Sequence, residues 1–303
     1  MRQHYALGCI LVILAATCWG FIGLFGTKLN QAGFSGLEVA SLRVTTAAVF
    51  LLAISPLFLK SLRQFQLKQL PMLTLQSVFG VMMMTVFFFL AVQQIGVALA
   101  VALLYTAPIW SLLLARLLLD EQLTALGIGL TCLTVIGVAL CLNSQEPINP
   151  MGIVYGLASG FCYSCYGVLG KKAINNNPPV LVLYSSVLIS GIIMSATPIF
   201  HQAIAHLNHH FSWNLVAVIL GIALFSTLLP YALYTKALTW MPATRAQTLT
   251  IFEPVTAVLL AAFLLKEPLV AIQFVGIGLI LVSSVLNALQ KPTAHIKPST
   301  QQA

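Results

Sequence analysis

The stretches APIWSLLLARLLLDE (107–121) and EPVTAVLLAAFLLKE (253–267) share one design. In each, a proline opens an apolar run of helix length and a glutamate stands 13 positions later: Pro108 with Glu121 (121 − 108), Pro254 with Glu267 (267 − 254). Nearer the start of each half, Gly8, Cys18, Gly23, Gly26 and Lys28 recur 144 residues later (152 − 8) as Gly152, Cys162, Gly167, Gly170 and Lys172. The correspondence reaches both ends of each half, so the chain is an internal duplication.

Composition names the solvent. Hydrophobic residues make up 59% of the chain, charged residues 7%, and mean hydropathy is +0.98. A soluble domain carries about 25% charged residues, so this chain lacks the polar groups to cover itself in water. Apolar runs of about 20 residues, enough to cross a bilayer core as helix, recur almost without pause. The reading is an all-α membrane protein with ten transmembrane helices, at 5–27, 36–59, 71–93, 97–118, 124–142, 151–172, 180–200, 214–238, 245–265 and 268–289. The runs lack the period-two alternation of barrel strands. One five-helix repeat then occupies 5–142 and the other 151–289. The polar tail 290–303, with Pro292 and Pro298, reads as disordered and cytoplasmic. The first apolar stretch is too long for a signal-peptide core and is expected to be retained as a helix.

Basic residues orient the chain. With a cytoplasmic amino terminus, Arg2, Lys60, Arg63, Lys68, Arg116, Lys171, Lys172, Lys236, Arg245, Lys291 and Lys297 all fall at cytoplasmic ends. Only Lys28 and Lys266 fall opposite, and Arg43 lies within a span, as the positive-inside rule demands. Both termini are then cytoplasmic, and the net charge of +8 needs no nucleic acid. Five spans per half, an odd number, invert the second repeat relative to the first. Lys28 and Lys172 then face opposite sides. Inverted repeats are the usual basis of alternating access around a midplane site, which points to a carrier.

The segments Cys18-Trp19-Gly20 with Gly23, Leu37-Glu38 followed by Arg43, Pro242-Ala243-Thr244-Arg245-Ala246, Glu253-Pro254 and Leu265-Lys266-Glu267 resemble the drug/metabolite transporter superfamily of the EamA-domain type. The resemblance covers nearly all of residues 5–290. It implies a ten-helix bundle of two inverted repeats around a central cavity lined mainly by the first, third, fourth, sixth, eighth and ninth helices. It also implies export of amino acids or other small metabolites in many members.

Charges stranded at membrane depth are the clearest chemical signals. Glu253 lies about eight residues into the ninth span, roughly 12 Å along its axis. A carboxylate at bilayer centre costs about 2.5–3.5 kcal/mol, so it must face the bundle interior, find a partner or carry a proton. It is a candidate substrate-amine ligand and coupling residue, against a structural polar knot between helices. Pro254 beside it removes a backbone hydrogen bond. Arg43 is the other embedded charge, a candidate for gating or for a substrate carboxylate. Its structural alternative is a guanidinium satisfied by helix-end carbonyls or by Glu38.

Trp19, Phe88, Tyr105, Tyr163, Tyr231 and Tyr234 fall near mid-depth and are the candidate cavity aromatics, with packing as the alternative for each. If they converge, they form a pocket for an apolar side chain or a cation. Thr85, Ser111 and Gln247 are further polar candidates, while Trp110, Trp213 and Trp240 suit interface anchoring. His201, His206, His209 and His210 cluster after the seventh span, as an interfacial amphipathic segment or else a metal or pH-responsive cap. Six cysteines inside spans read as packing residues, Cys162-x-x-Cys165 included. Gly127, Gly129, Gly137, Gly276, Gly278 and Ser283 offer small surfaces for packing or dimerisation.

The expectation is a multi-pass secondary transporter of the inner (cytoplasmic) membrane, acting as monomer or homodimer. It would export small organic metabolites such as amino acids by alternating access, with possible proton coupling. Partners are a small-molecule substrate and the lipid bilayer; no nucleic acid, cofactor, metal or enzymatic activity is expected. A multidrug or quaternary-amine exporter is the alternative within transport. A non-transporting scaffold or receptor subunit is the alternative outside it.

Overall fold

A computed structural model describes residues 2–141, 149–264 and 271–289, and among these every regular element is helical. The first half comprises α1 (Gln3–Gln31), α2 (Gly36–Leu62), α3 (Leu67–Val97), α4 (Leu99–Leu119) and α5 (Ala125–Cys141). The second comprises α6 (Pro150–Ile174), α7 (Pro179–Ser195), α8 (Pro198–His209), α9 (Trp213–Ala237), α10 (Ala243–Leu249), α11 (Phe252–Leu264) and α12 (Ala271–Leu289). Six of these are long and apolar enough to cross a bilayer, and a seventh crossing counts α7 with α8, which bends away from it by 78°. The shorter apolar α5 and α12 and the interrupted pair α10–α11 complete the ten crossings. Glu267 and the tail 290–303 lie outside the described residues.

Local chemistry sets the turns. Ser35 Oγ accepts from Glu38 N at 3.3 Å while Glu38 Oε2 accepts from Ser35 N at 2.7 Å, a capping box that starts α2. Gly96, at φ +74°, turns α3 into α4 with almost no loop, a left-handed conformation that a side chain would strain.

Besides the predicted span 180–200, broken by the bend after Ser195, two predicted spans are interrupted where continuous helices were expected. Over 97–118 the helix breaks at Tyr105–Thr106, and over 245–265 it breaks at Thr250–Ile251. Each break lies just before the paired proline, Pro108 or Pro254, whose ring excludes the carbonyl four residues back and which donates no hydrogen bond. The offset between the prolines is 146 (254 − 108), and it relates another pair of irregularities. A π-helical turn at Val78–Met83 in α3 is matched by one at Leu224–Leu228 in α9 (224 − 78). Such turns widen a helix locally and often mark functional positions.

Packing repeats the same exchange. Helix α2 packs on its own counterpart α7, and α5 on α12; α3 and α4 pack on α6, as α9 and α11 pack on α1. Lipid supplies no hydrophobic drive between helices, so close contact and hydrogen bonds must hold them. At α5–α12, Thr134 Oγ1 donates to Ser283 Oγ at 2.7 Å, and Gly137 lies so close to the Gly276 carbonyl that a Cβ would come within 3.0 Å of it. Gly129 and Gly278, by contrast, face open space. Cys9, Cys18, Cys162 and Cys165 are buried free thiols, and Cys132 is exposed.

Candidate functional site

The two helix interruptions meet in the interior. Glu253 occupies the first turn of α11, its backbone N–H donating to Thr250 O at 2.9 Å across the break. Tyr163 of α6 donates its hydroxyl to Glu253 Oε2 at 3.4 Å, and the Tyr105 hydroxyl, at the matching break in α4, reaches the same carboxylate. The carboxylate is half-buried, whereas both tyrosines are fully buried.

Around it stands an aromatic cluster. Trp19 lies 6.1 Å from Tyr163, 5.6 Å from Tyr231 and 5.7 Å from Tyr234 between ring centroids. Tyr166 joins Tyr231 at 4.9 Å and Tyr234 at 5.5 Å. Edge-on and tilted geometries suit the ring quadrupoles. Hydroxyls at the rim are satisfied: Tyr166 shares a hydrogen bond with Thr235 at 3.0 Å, and Tyr234 donates to Gln247 Oε1 at 3.2 Å. Trp19, Tyr105, Tyr163, Tyr231, Tyr234 and Glu253 thus come together. Phe88 does not join the ring cluster; it is half-buried and pairs edge-on with Phe89 at 5.3 Å. Tyr166 was not singled out from sequence, although it lies one helical turn after Tyr163 and so shares its face.

Arg43, 6% exposed, points its Nη2 at Thr85 Oγ1, 3.4 Å away. Glu38, its suggested partner, is committed elsewhere, to Ser35 and to His206, whose Nδ1 lies 3.9 Å from Glu38 Oε1.

The two ends of the bundle differ. On α1, Trp19, Gly23 and Gly26 fall on one stripe with the buried Val12 and Ala15, yet Gly23 and Gly26 face open space. Their repeat counterparts on α6 are filled. A Cβ on Gly167 would lie 2.6 Å from the Tyr234 hydroxyl and 3.0 Å from Gln247 Oε1, and Gly170 faces Leu238 and Gln76. The paired stripes are therefore closed at the end that holds the amino terminus and open along α1 at the other end.

Glu121 helps to seal the closed end. Asp120, at φ +55°, ends α4 and turns the chain so that the Glu121 carboxylate accepts from Ala243 N (2.8 Å), Thr244 N (3.3 Å) and Thr244 Oγ1 (2.7 Å). It thus caps α10 in the other repeat, where the positive end of the helix dipole favours an anion. Nearby, Arg245 Nη1 donates to the Tyr5 hydroxyl at 2.9 Å and Lys171 donates to the Leu238 carbonyl. Hydrogen bonds to charged groups are worth about 1.5–3 kcal/mol. Glu121→Ala is accordingly expected to lower the melting temperature in detergent by several degrees and Glu121→Gln by less, which thermal unfolding of the two variants will check.

At the open end, α8 carries the histidines as an amphipathic helix. His206 stacks on Phe34 at 4.4 Å, approaches Ala32 O at 3.2 Å and lies 5.0 Å from the His210 ring. Among the described residues no group of three or more His, Cys, Asp or Glu converges as a metal site.

Comparison with known proteins agrees with this architecture. The chain is 28% identical over 286 residues to the threonine/homoserine exporter RhtA of Escherichia coli K12, covering 92% of this chain and 90% of the relative. An uncharacterized transporter of Archaeoglobus fulgidus is 26% identical over 273 residues, covering 90% and 95%. A solved crystal structure superposes with a TM-score of 0.73 at 14% identity, covering 92% of this chain and 95% of that one, which supports the fold alone. The profile of the EamA-like transporter family matches twice, at residues 6–143 and 150–289. With its two inverted repeats, its paired helix interruptions and both profile matches, the chain belongs to the EamA-like transporter family.

Proposed function

We propose that this protein exports small organic metabolites, amino acids first among them, across the cytoplasmic membrane by alternating access, with both termini in the cytoplasm and export coupled to protons through Glu253. The observation that carries the reading is a single carboxylate set beside two interrupted helices, one from each repeat, and bonded by the Tyr163 hydroxyl. Interrupted helices in matching positions of inverted repeats commonly build a transporter's central site, because their freed backbone ends serve the substrate. The open stripe at Gly23 and Gly26, against the filled one at Gly167 and Gly170, supports a conformer open to the outside. Exchanging the two arrangements between repeats would open the other side. Several matched relatives are named threonine/homoserine exporters, which favours amino acids over other metabolites.

The test is flux from proteoliposomes loaded with radiolabelled threonine, homoserine and a panel of other amino acids, with and without an imposed pH gradient. Efflux of at least one amino acid, accelerated by a proton gradient directed against it, is expected. Preference for permanent quaternary cations over every amino acid would transfer the protein to the multidrug reading, and no flux of any solute would end the transport reading.

A further inference from the structure

We infer that Arg43 and Glu253 are the two poles of one zwitterion site, Arg43 taking the substrate's carboxylate and Glu253 its ammonium. The inference rests on the amino-acid export reading and assigns the substrate's two charged ends to atoms.

The first observation is incomplete coordination of a buried guanidinium and a half-buried carboxylate of opposite charge. Among the described residues, neither Arg43 nor Glu253 has an ion-pair partner within 4.0 Å; the salt bridge found there joins His206 to Glu38. Arg43 is 6% exposed, its contact with Thr85 Oγ1 is long at 3.4 Å, and its Nε has no hydrogen-bond partner at all. A guanidinium offers five donors in a fixed fork, and leaving them unmet in a buried site is costly. Its geometry matches a carboxylate, which accepts two of those donors at once. Glu253, for its part, is contacted by hydroxyls, not by a cation, and retains lone pairs that an ammonium can occupy.

The second observation is that the fold does not need either charge. The repeat counterpart of Glu253 is Ala107 (253 − 146), which is fully buried beside Pro108. The counterpart of α2 is α7, and Pro179–Ser195 contains no charged residue. Each repeat therefore builds a helix at the corresponding place without the charge that its partner carries. Helix α3 runs antiparallel along α6, with Gly80 beside Tyr166 and Ile95 beside Gly152, so Thr85, which contacts Arg43, lies level with Tyr163, which contacts Glu253, and the two charges do not close into a salt bridge. A ligand carrying one charge of each sign completes both, whereas a simple amine or a simple carboxylate completes only one. Thr85, at the repeat position of Tyr231 (231 − 146), stands beside the guanidinium as a positioning hydroxyl.

The experiment is a ligand–protein cycle. A thermal-shift screen of the purified protein selects the best-binding free amino acid, which is then compared with its amide and its N-acetyl derivative by isothermal titration, in the wild type and in Arg43→Gln. In the wild type, both derivatives are expected to bind at least 10-fold more weakly than the free amino acid. In R43Q, the free acid should weaken by roughly 10- to 100-fold, to the level of the amide, while the affinity for the amide stays within about twofold. Arg43→Lys keeps the charge but loses the fork, and should retain part of the preference for acid over amide. It also carries the cycle if R43Q does not fold. Equal weakening of acid and amide in R43Q, or in R43K in its place, would overturn the assignment and make Arg43 structural. Failure of every amino acid to bind the wild type would instead remove the amino-acid reading of the site itself, a result distinguishable from the first.

Discussion

Glu253→Gln is expected to give a folded protein whose amino-acid export falls by roughly 10- to 100-fold and no longer responds to an imposed proton gradient. Glutamine keeps the length and shape of glutamate and can still accept the hydroxyls of Tyr163 and Tyr105, so the junction of the two interrupted helices persists. What it removes is the charge and the site for a proton. A hydrogen bond to a charged group is worth about 1.5–3 kcal/mol, which sets the expected range for losing an ammonium contact. Relieving an embedded carboxylate also removes a cost of about 2.5–3.5 kcal/mol at bilayer depth. The melting temperature should therefore stay level or rise while transport collapses. That opposite movement separates a functional carboxylate from a structural knot, because a knot would lose stability and activity together. Efflux measured with and without the gradient, beside thermal unfolding of the same sample, decides it. Export by E253Q that remains gradient-driven would take the coupling role away from this residue.

Much of this architecture was legible in the residues because membrane folding has few solutions. Apolar runs must be helices, and an odd number of crossings per repeat must invert the second repeat. The breaks themselves were not read, since prolines are tolerated within membrane helices and only three-dimensional pairing shows that both prolines face the same interior. The π turns at Val78–Met83 and Leu224–Leu228 have no sequence signature beyond their shared offset. Five of the six aromatic candidates meet around or beside Glu253, while Phe88, chosen by depth, stands outside the ring cluster because depth says nothing about azimuth. Glu121 was legible as half of a repeated pair but not as a cap on α10, for its partners lie more than a hundred residues away.

Gly80→Leu is expected to yield no folded protein, and even Gly80→Ala to cost about 1–3 kcal/mol, the usual range for overpacking a filled core. Gly80 sits inside the π turn of α3, where that helix presses against α6. A Cβ there would lie 2.7 Å from Cα of Tyr166, 3.0 Å from its nitrogen and 2.9 Å from its Cβ. Two of those atoms are backbone and cannot rotate away, so α6 itself must move. That helix carries Tyr163 and Tyr166, hence the hydroxyl on Glu253 and the centre of the aromatic cluster. Transport should consequently fall by more than the loss of stability explains. Gly129→Ala supplies the control, because Gly129 is exposed on α5 with nothing within 4 Å of its added Cβ. There the same substitution should be neutral or stabilising by up to about 1 kcal/mol, the helix propensity that alanine gains over glycine. Melting temperatures and size-exclusion profiles of the two alanine variants in detergent test the contrast. If G80A and G129A behave alike, then α3 and α6 do not approach through their backbones, and the packing that places Tyr163 on Glu253 would have to be redrawn.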